Sequence, residues 1–170
     1  MKKTLVFMLA ILFMMPMAKA QNAIQRMKLF RDWDNYEVSS VSVGQDGTKV
    51  IKVWGYGRKV DKAIMQAKKN AIHACLFRGV PGNPKTPPIV APGTKDKVLE
   101  DNIDYFYDFF ETAGGYLQFV NLTTDGMPSG QDRRKVKGGY KVAITVQVMY
   151  DNLRKKLEAD GIVKSLNSFF

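Results

Sequence analysis

The sequence predicts an α+β domain. The expected core is an antiparallel four-stranded sheet in β-β-α-α-β-β-α order, with helices packed mainly on one face. Three observations lead there. Period-two alternation marks two pairs of strands, one early and one late in the chain. Two amphipathic helical segments separate those pairs, and a third follows the last strand. Such segregation of strand pairs and two-helix connections favours an antiparallel sheet over alternating βαβ units.

The first twenty residues read as a signal peptide. Lys2 and Lys3 precede an apolar run from Leu5 to Met15, and Ala18-Lys19-Ala20 has the small-x-small pattern of a cleavage site. That apolar run is too short for an ordinary spanning helix. Position 21 is Gln, so a lipoprotein acylated at the cleavage site is not expected, and a freed Gln21 has the chemistry to cyclise. The expected location is periplasmic, outer-membrane-associated or extracellular. Loss of Lys2, Lys3 and Lys19 lowers the formal net charge from +10 to +7. A basic balance in an exported chain points to an anionic surface as partner: lipid headgroups, acidic glycans or an acidic envelope protein. Nucleic acid is not expected there. The competing reading is that the charge serves solubility alone.

Residues 21–35 form an N-terminal arm with Ile24, Met27, Leu29, Phe30 and Trp33 as its apolar residues. They suit either a short amphipathic helix lying on the core or a loose terminus. One domain follows, over residues 36–170. Tyr36 to Val43 reads as the first strand, and Gly44-Gln45-Asp46-Gly47 as a turn. Thr48 to Arg58 is the second strand of the resulting hairpin. Alternation puts Ile51, Val53, Gly55 and Gly57 on one face of it, and Lys52, Trp54, Tyr56 and Arg58 on the other.

A helix begins near Asp61 and ends at Gly79. Ala63, Ala67, Ala71 and Ala74 make one narrow stripe along it. Small residues let a helix approach a sheet closely, and Gly55 and Gly57 on the preceding strand offer a surface without side chains. These six residues therefore read as a strand–helix packing unit. They do not read as a phosphate loop, because Val60 stands where a G-x-G-x-x-G pattern needs its third glycine.

Residues 80–95 carry prolines at 81, 84, 87, 88 and 92 and read as a long surface loop. Such a loop serves either as a partner-binding element, as in an inhibitor, or as a tolerated insertion. Asp96 to Ala113 reads as a second helix, buried through Leu99, Ile103, Phe106, Phe110 and Ala113. Its other face is acidic: Glu100, Asp101, Asp104, Asp108 and Glu111. That face suits a solvated surface opposite Lys62, Lys68 and Lys69. Asp101, Asp104 and Asp108 share a face at helical spacing, so the sharper alternative is a metal or acid–base role, as in a carboxylate-based hydrolase using Asp104 with Asp108.

Tyr116 to Thr123 reads as the third strand, and Lys135 to Tyr150 as a long fourth strand. On the fourth, Tyr140, Val142, Ile144, Val146 and Val148 share one face, while Lys137, Lys141, Thr145 and Gln147 share the other. Asp151 caps a last helix with Leu153 and Leu157 inward, and an apolar tail runs to Phe169 and Phe170, suited to docking on the core or on a partner.

The chemistry-bearing residues are few. His73 is the sole histidine and Cys75 the sole cysteine. No Cys/His zinc cluster can be assembled within one chain. Neither a metal nor a cofactor is expected. Two positions apart on a helix, His73 and Cys75 do not face one another, which argues against a Cys-His dyad. Cys75 reads as a small buried hydrophobe. No catalytic set emerges, and the expected class is a non-enzymatic binding module.

The stretch from Val50 to Gly79 resembles small bacterial envelope domains of the flagellar T-ring (FlgT) N-terminal type and related Lpp-type lipoproteins. In those, a G-x-G/A strand precedes a helix with regularly spaced alanines; Gly55, Gly57, Ala63, Ala67, Ala71 and Ala74 match that pattern. The strand and helix from Lys141 to Leu157 resemble the ending of such domains. The resemblance implies an accessory role in a bacterial envelope assembly. The acylated cysteine of the lipoprotein members is missing, and the Pro-rich loop is not part of the pattern. The expected binding surface is the open sheet face: Lys52, Trp54, Tyr56, Arg58, Lys137 and Lys141. Whether Trp54 and Tyr56 are open to solvent, or covered by the arm through Phe30 and Trp33, is left to the fold.

Overall fold

The computed structural model describes residues 23–30, 32–111, 113–123 and 126–165. The signal-peptide reading, Gln21 and the terminal phenylalanines lie outside them. Residues 23–30 form helix α1. The other elements are β1 (Val38–Val43), β2 (Lys49–Gly57), α2 (Val60–His73), α3 (Lys95–Asp101), α4 (Ile103–Phe109), β3 (Val120–Leu122), β4 (Arg133–Val136), β5 (Gly139–Val148) and α5 (Tyr150–Ala159). None of the described helices is long and apolar enough to cross a membrane.

The fold is mixed α and β around an antiparallel sheet, with five strands instead of four. β2 pairs with β1 on one side and with β5 along its whole length on the other. The far edge of β5 is shared: β3 pairs at its Val148 end and β4 at its Gly139 end. The expected long fourth strand is therefore a hairpin. Lys137 and Gly138 form the turn, and Gly138 takes a left-handed φ of +83° that a side chain would resist. The expected third strand is mostly a 3-10 turn, Gly115–Phe119, which swings Tyr116 and Phe119 inward three residues apart.

The face assignment on the two long strands is as expected. Ile51, Val53, Val142, Ile144, Val146 and Val148 are buried, and α2 lies along that side of β2 and β5. Close approach is the reason for the glycines. A Cβ on Gly57 would come within 2.4 Å of the Ala63 nitrogen. Ala63, Ala67, Ala71 and Ala74 are fully buried against this surface.

Beyond His73 the helix widens into a π turn, Ala74–Arg78. Its function is visible in the hydrogen bonds. The carbonyls of Cys75 and Leu76 turn outward and accept from the backbone of Ile89 and Val90, each at 2.9 Å. The Pro-rich segment is thereby sewn to the core. Val80 and Thr86 form an isolated bridge, and the Tyr150 hydroxyl donates to the Pro87 carbonyl at 2.8 Å. A free surface loop was expected over 80–95. Val80, Thr86, Ile89 and Val90 are instead buried, and residues 81–85 form an exposed tip.

The acidic second helix is broken at Asn102. Its side-chain amide donates to the Val98 carbonyl at 3.0 Å, and its backbone leaves helical geometry, separating α3 from α4. Leu99, Ile103, Phe106 and Phe110 are buried as expected, while Ala113 is exposed. Leu153 and Leu157 of α5 are fully buried. The arm docks on the helical layer: Phe30 packs against Phe106 and Phe110, and Trp33 stacks on His73 with ring centres 5.0 Å apart.

Candidate functional site

Because the described arm residues pack on the helical side, they do not cover the open face of the sheet. Lys52, Trp54 and Tyr56 of β2 and Lys141 of β5 share that face. Tyr56 is 47% exposed and Trp54 half-buried. The registers Tyr56↔Lys141 and Lys141↔Arg134 put three side chains in one row across three strands. The Lys141 ammonium lies 4.9 Å from the centre of the Trp54 ring and 5.5 Å from that of Tyr56. The Arg134 guanidinium lies 5.6 Å from the Trp54 ring. Cations at this range are drawn to the negative face of an aromatic ring.

Two of the cations are neutralised locally. Lys52 pairs with Asp132 at 2.7 Å, and Lys141 with Glu37, which holds the Lys141 ammonium above its ordinary pKa. Arg134 has no carboxylate within ion-pair distance among the described residues. Arg58 follows β2 directly, and Lys137 sits in the β4–β5 turn, so it is off the strand face on which alternation placed it. The two ends still meet, since a Cβ on Gly139 would come within 2.9 Å of the Arg58 Cα. Arg58, Lys59, Arg133, Arg134, Lys135 and Lys137 are all exposed at this end of the sheet. Sequence reasoning missed Arg134, along with Glu37 and Asp132. The Lys-Gly-Gly turn at 137–139 was the available signal, because it folds the basic run 133–136 back alongside β5.

A second concavity lies in the helical layer. Its walls are Phe30, Trp33, Tyr107 and Phe110, with Lys69 and Glu111 as its charged members, and it encloses about 680 Å³. Partial burial lowers the pKa of Lys69, opposed by the nearby Glu111 charge.

Beneath it lies a buried polar cluster. The Trp33 indole donates to Asn70 Oδ1 at 2.6 Å, and Asn70 Nδ2 donates to the Trp54 carbonyl at 2.8 Å. The Tyr36 hydroxyl and His73 Nδ1 are hydrogen-bonded at 2.7 Å. Burial, with the Lys95 charge adding to it, depresses the His73 pKa to about 3, so the ring is neutral. The His73 Nε2 and the Tyr116 hydroxyl are buried without a partner among the described residues. Asp34 lies 3.9 Å from His73 and is held by Lys95 at 2.8 Å. His73 is thus a core residue, stacked on Trp33 and packed at a tilt against Phe77.

The acidic face of the second helical segment borders this cleft through Glu111. Asp104 pairs with Arg26 of α1, and Asp101 with Lys97 on its own helix. Among the described residues no group of three or more His, Cys, Asp or Glu side chains is arranged to hold a metal ion.

Comparison of the chain with family models, with curated proteins and with solved structures finds no match.

Proposed function

We propose that this chain is an exported, non-catalytic binding protein that serves as an accessory part of a bacterial envelope assembly. It engages an acidic partner surface through the open face and basic end of its sheet. The observation that carries this reading is the row Tyr56–Lys141–Arg134, with Trp54 framed by the two cations and Arg58 and Lys137 beside it. An aromatic pair set among cations supplies both contact area and charge, the combination that interface residues of this type provide. The resemblance to T-ring and lipoprotein domains of the envelope, carried by the Gly55–Ala74 pattern, supports the same reading.

The test is affinity recovery from solubilised envelope fractions, using wild-type protein and the Trp54→Ala, Arg58→Ala and Arg134→Gln variants. Circular dichroism establishes that each variant is folded. Recovery of a partner by wild type, and its loss with Trp54→Ala or Arg134→Gln, is the expected outcome. Equal recovery by all four proteins rejects this face.

A further inference from the structure

We propose that the cleft in the helical layer is a binding site for an apolar monocarboxylate, an acyl or aryl carboxylate. Its apolar body would lie on Phe30, Trp33 and Phe110, and its carboxylate on the Lys69 ammonium. This site is distinct from the open sheet face and does not rest on the role proposed for that face.

The cleft has the dimensions of a small-molecule site. Its volume of about 680 Å³ falls within the ordinary range for ligand pockets. Its walls come from separate parts of the chain: Phe30 on α1, Trp33 after it, Lys69 on α2, and Tyr107 and Phe110 at α4. The aromatic floor is fixed, because Phe30 and Trp33 each pack against Phe110, at 5.8 and 4.8 Å between ring centres. The Trp33 indole is locked by its bond to Asn70. A rigid apolar floor binds an apolar body without paying to order itself.

The charge of the ligand follows from the cations and anions around the cleft. Arg26 lies over the Tyr107 ring at 4.1 Å but is already paired with Asp104. Lys69 is the one cation lining the cleft among the described residues, and no carboxylate there lies within ion-pair distance of it. Glu111 also lines the cleft but is exposed to solvent. Lys69 is half-buried, its ammonium 5.7 Å from the centre of the Tyr116 ring behind the cleft lining, and that burial lowers its pKa against the opposing Glu111 charge. The partly dehydrated ammonium beside an apolar floor faces the Glu111 charge only beyond ion-pair distance, and a ligand carboxylate would make the direct contact.

Decanoate is a suitable probe, with decyltrimethylammonium as its cationic counterpart. Titration of the whole protein is followed by the Trp33 indole N–H resonance and by tryptophan fluorescence in a Trp54→Phe background, where Trp33 is the sole tryptophan. Decanoate is expected to give saturable shifts centred on Trp33 at sub-millimolar concentration. Lys69→Met, which keeps the length and apolar character of the side chain, is expected to weaken decanoate at least tenfold without weakening the cationic probe. Lys69→Arg is expected to restore most of the affinity. Non-saturable shifts, shifts centred on Trp54, or equal decanoate affinity in Lys69→Met would each overturn the proposal.

Discussion

A Cβ placed on Gly55 would stand 2.4 Å from the backbone nitrogen of Ala67 and 2.3 Å from the carbonyl oxygen of Ala63. The neighbours that block it are main-chain atoms of α2, which cannot rotate aside. Gly55→Ala must therefore lift the helix from the sheet or bend the strand. The expected cost is about 3 kcal/mol or more, the upper range for overpacking a filled interior. Urea denaturation of the variant measures it. A loss below 1 kcal/mol would mean that the two elements are not in the close contact described.

Asn70 joins three parts of the chain through one side chain. It accepts from the Trp33 indole and from Gln66, and it donates to the Trp54 carbonyl. Asn70→Ala strands the indole N–H in the helical layer and the carbonyl in the sheet. A destabilisation of about 2 kcal/mol is expected. The Trp33 resonance should also broaden or shift in the folded variant, since no other side chain among the described residues holds that ring nitrogen.

His73 predicts an acid limb in the stability profile. Its folded-state pKa is depressed to about 3 by burial and by the Lys95 and Arg78 charges, with Asp34 opposing them. The unfolded chain binds the proton near the ordinary value of about 6.5. The unfolded state therefore holds more protons between those two values, and stability falls as pH drops through that window. Above about pH 6.5 this contribution is fully present. Asp160, whose pKa is lowered by hydrogen bonds from Lys156 and Tyr105, adds a separate loss at lower pH. The double variant His73→Phe with Tyr36→Phe removes the titrating ring and its partner together. Thermal melts from pH 7 to pH 4.5 should show a shallower decline for it than for wild type. Parallel curves would contradict the assignment.

Cys75 is fully buried, and burial pushes its thiol pKa up to about 12. The nucleophilic thiolate is then scarce and inaccessible. A thiol reagent such as dithiobis-nitrobenzoate should leave the folded protein unmodified at pH 8 and react fully once it is unfolded in guanidinium. Cys75→Ser places a hydroxyl at a fully buried position, at a cost of about 2 kcal/mol. Rapid labelling of the native protein would refute the buried position.

The inward and outward faces of β2 and β5 were legible from alternation alone, as was the fit of Gly55 and Gly57 to the alanines of α2. Both depend on neighbours within one or two turns of chain, where period and side-chain size speak directly. The break at Asn102 was harder to read. The apolar spacing continues through it, and only the side-chain bond to Val98 shows why the helix stops. The β4–β5 hairpin was missed because the alternation of residues 139–148 was extended backwards across the Lys137-Gly138 turn.

The sequence by itself determined the mixed α and β class, the antiparallel sheet, the buried stripe of α2 and the outward set Lys52, Trp54, Tyr56 and Lys141. Tertiary structure decided that the arm docks on the helices and leaves that set open, that Arg134 joins it, and that a cleft forms around Lys69. The physical reason is range. Periodicity reports which way a side chain points, but not which distant side chain it will meet. Trp33 and His73 stack across 40 positions of sequence, and Arg134 reaches Trp54 across 80. Such meetings follow from how whole elements pack.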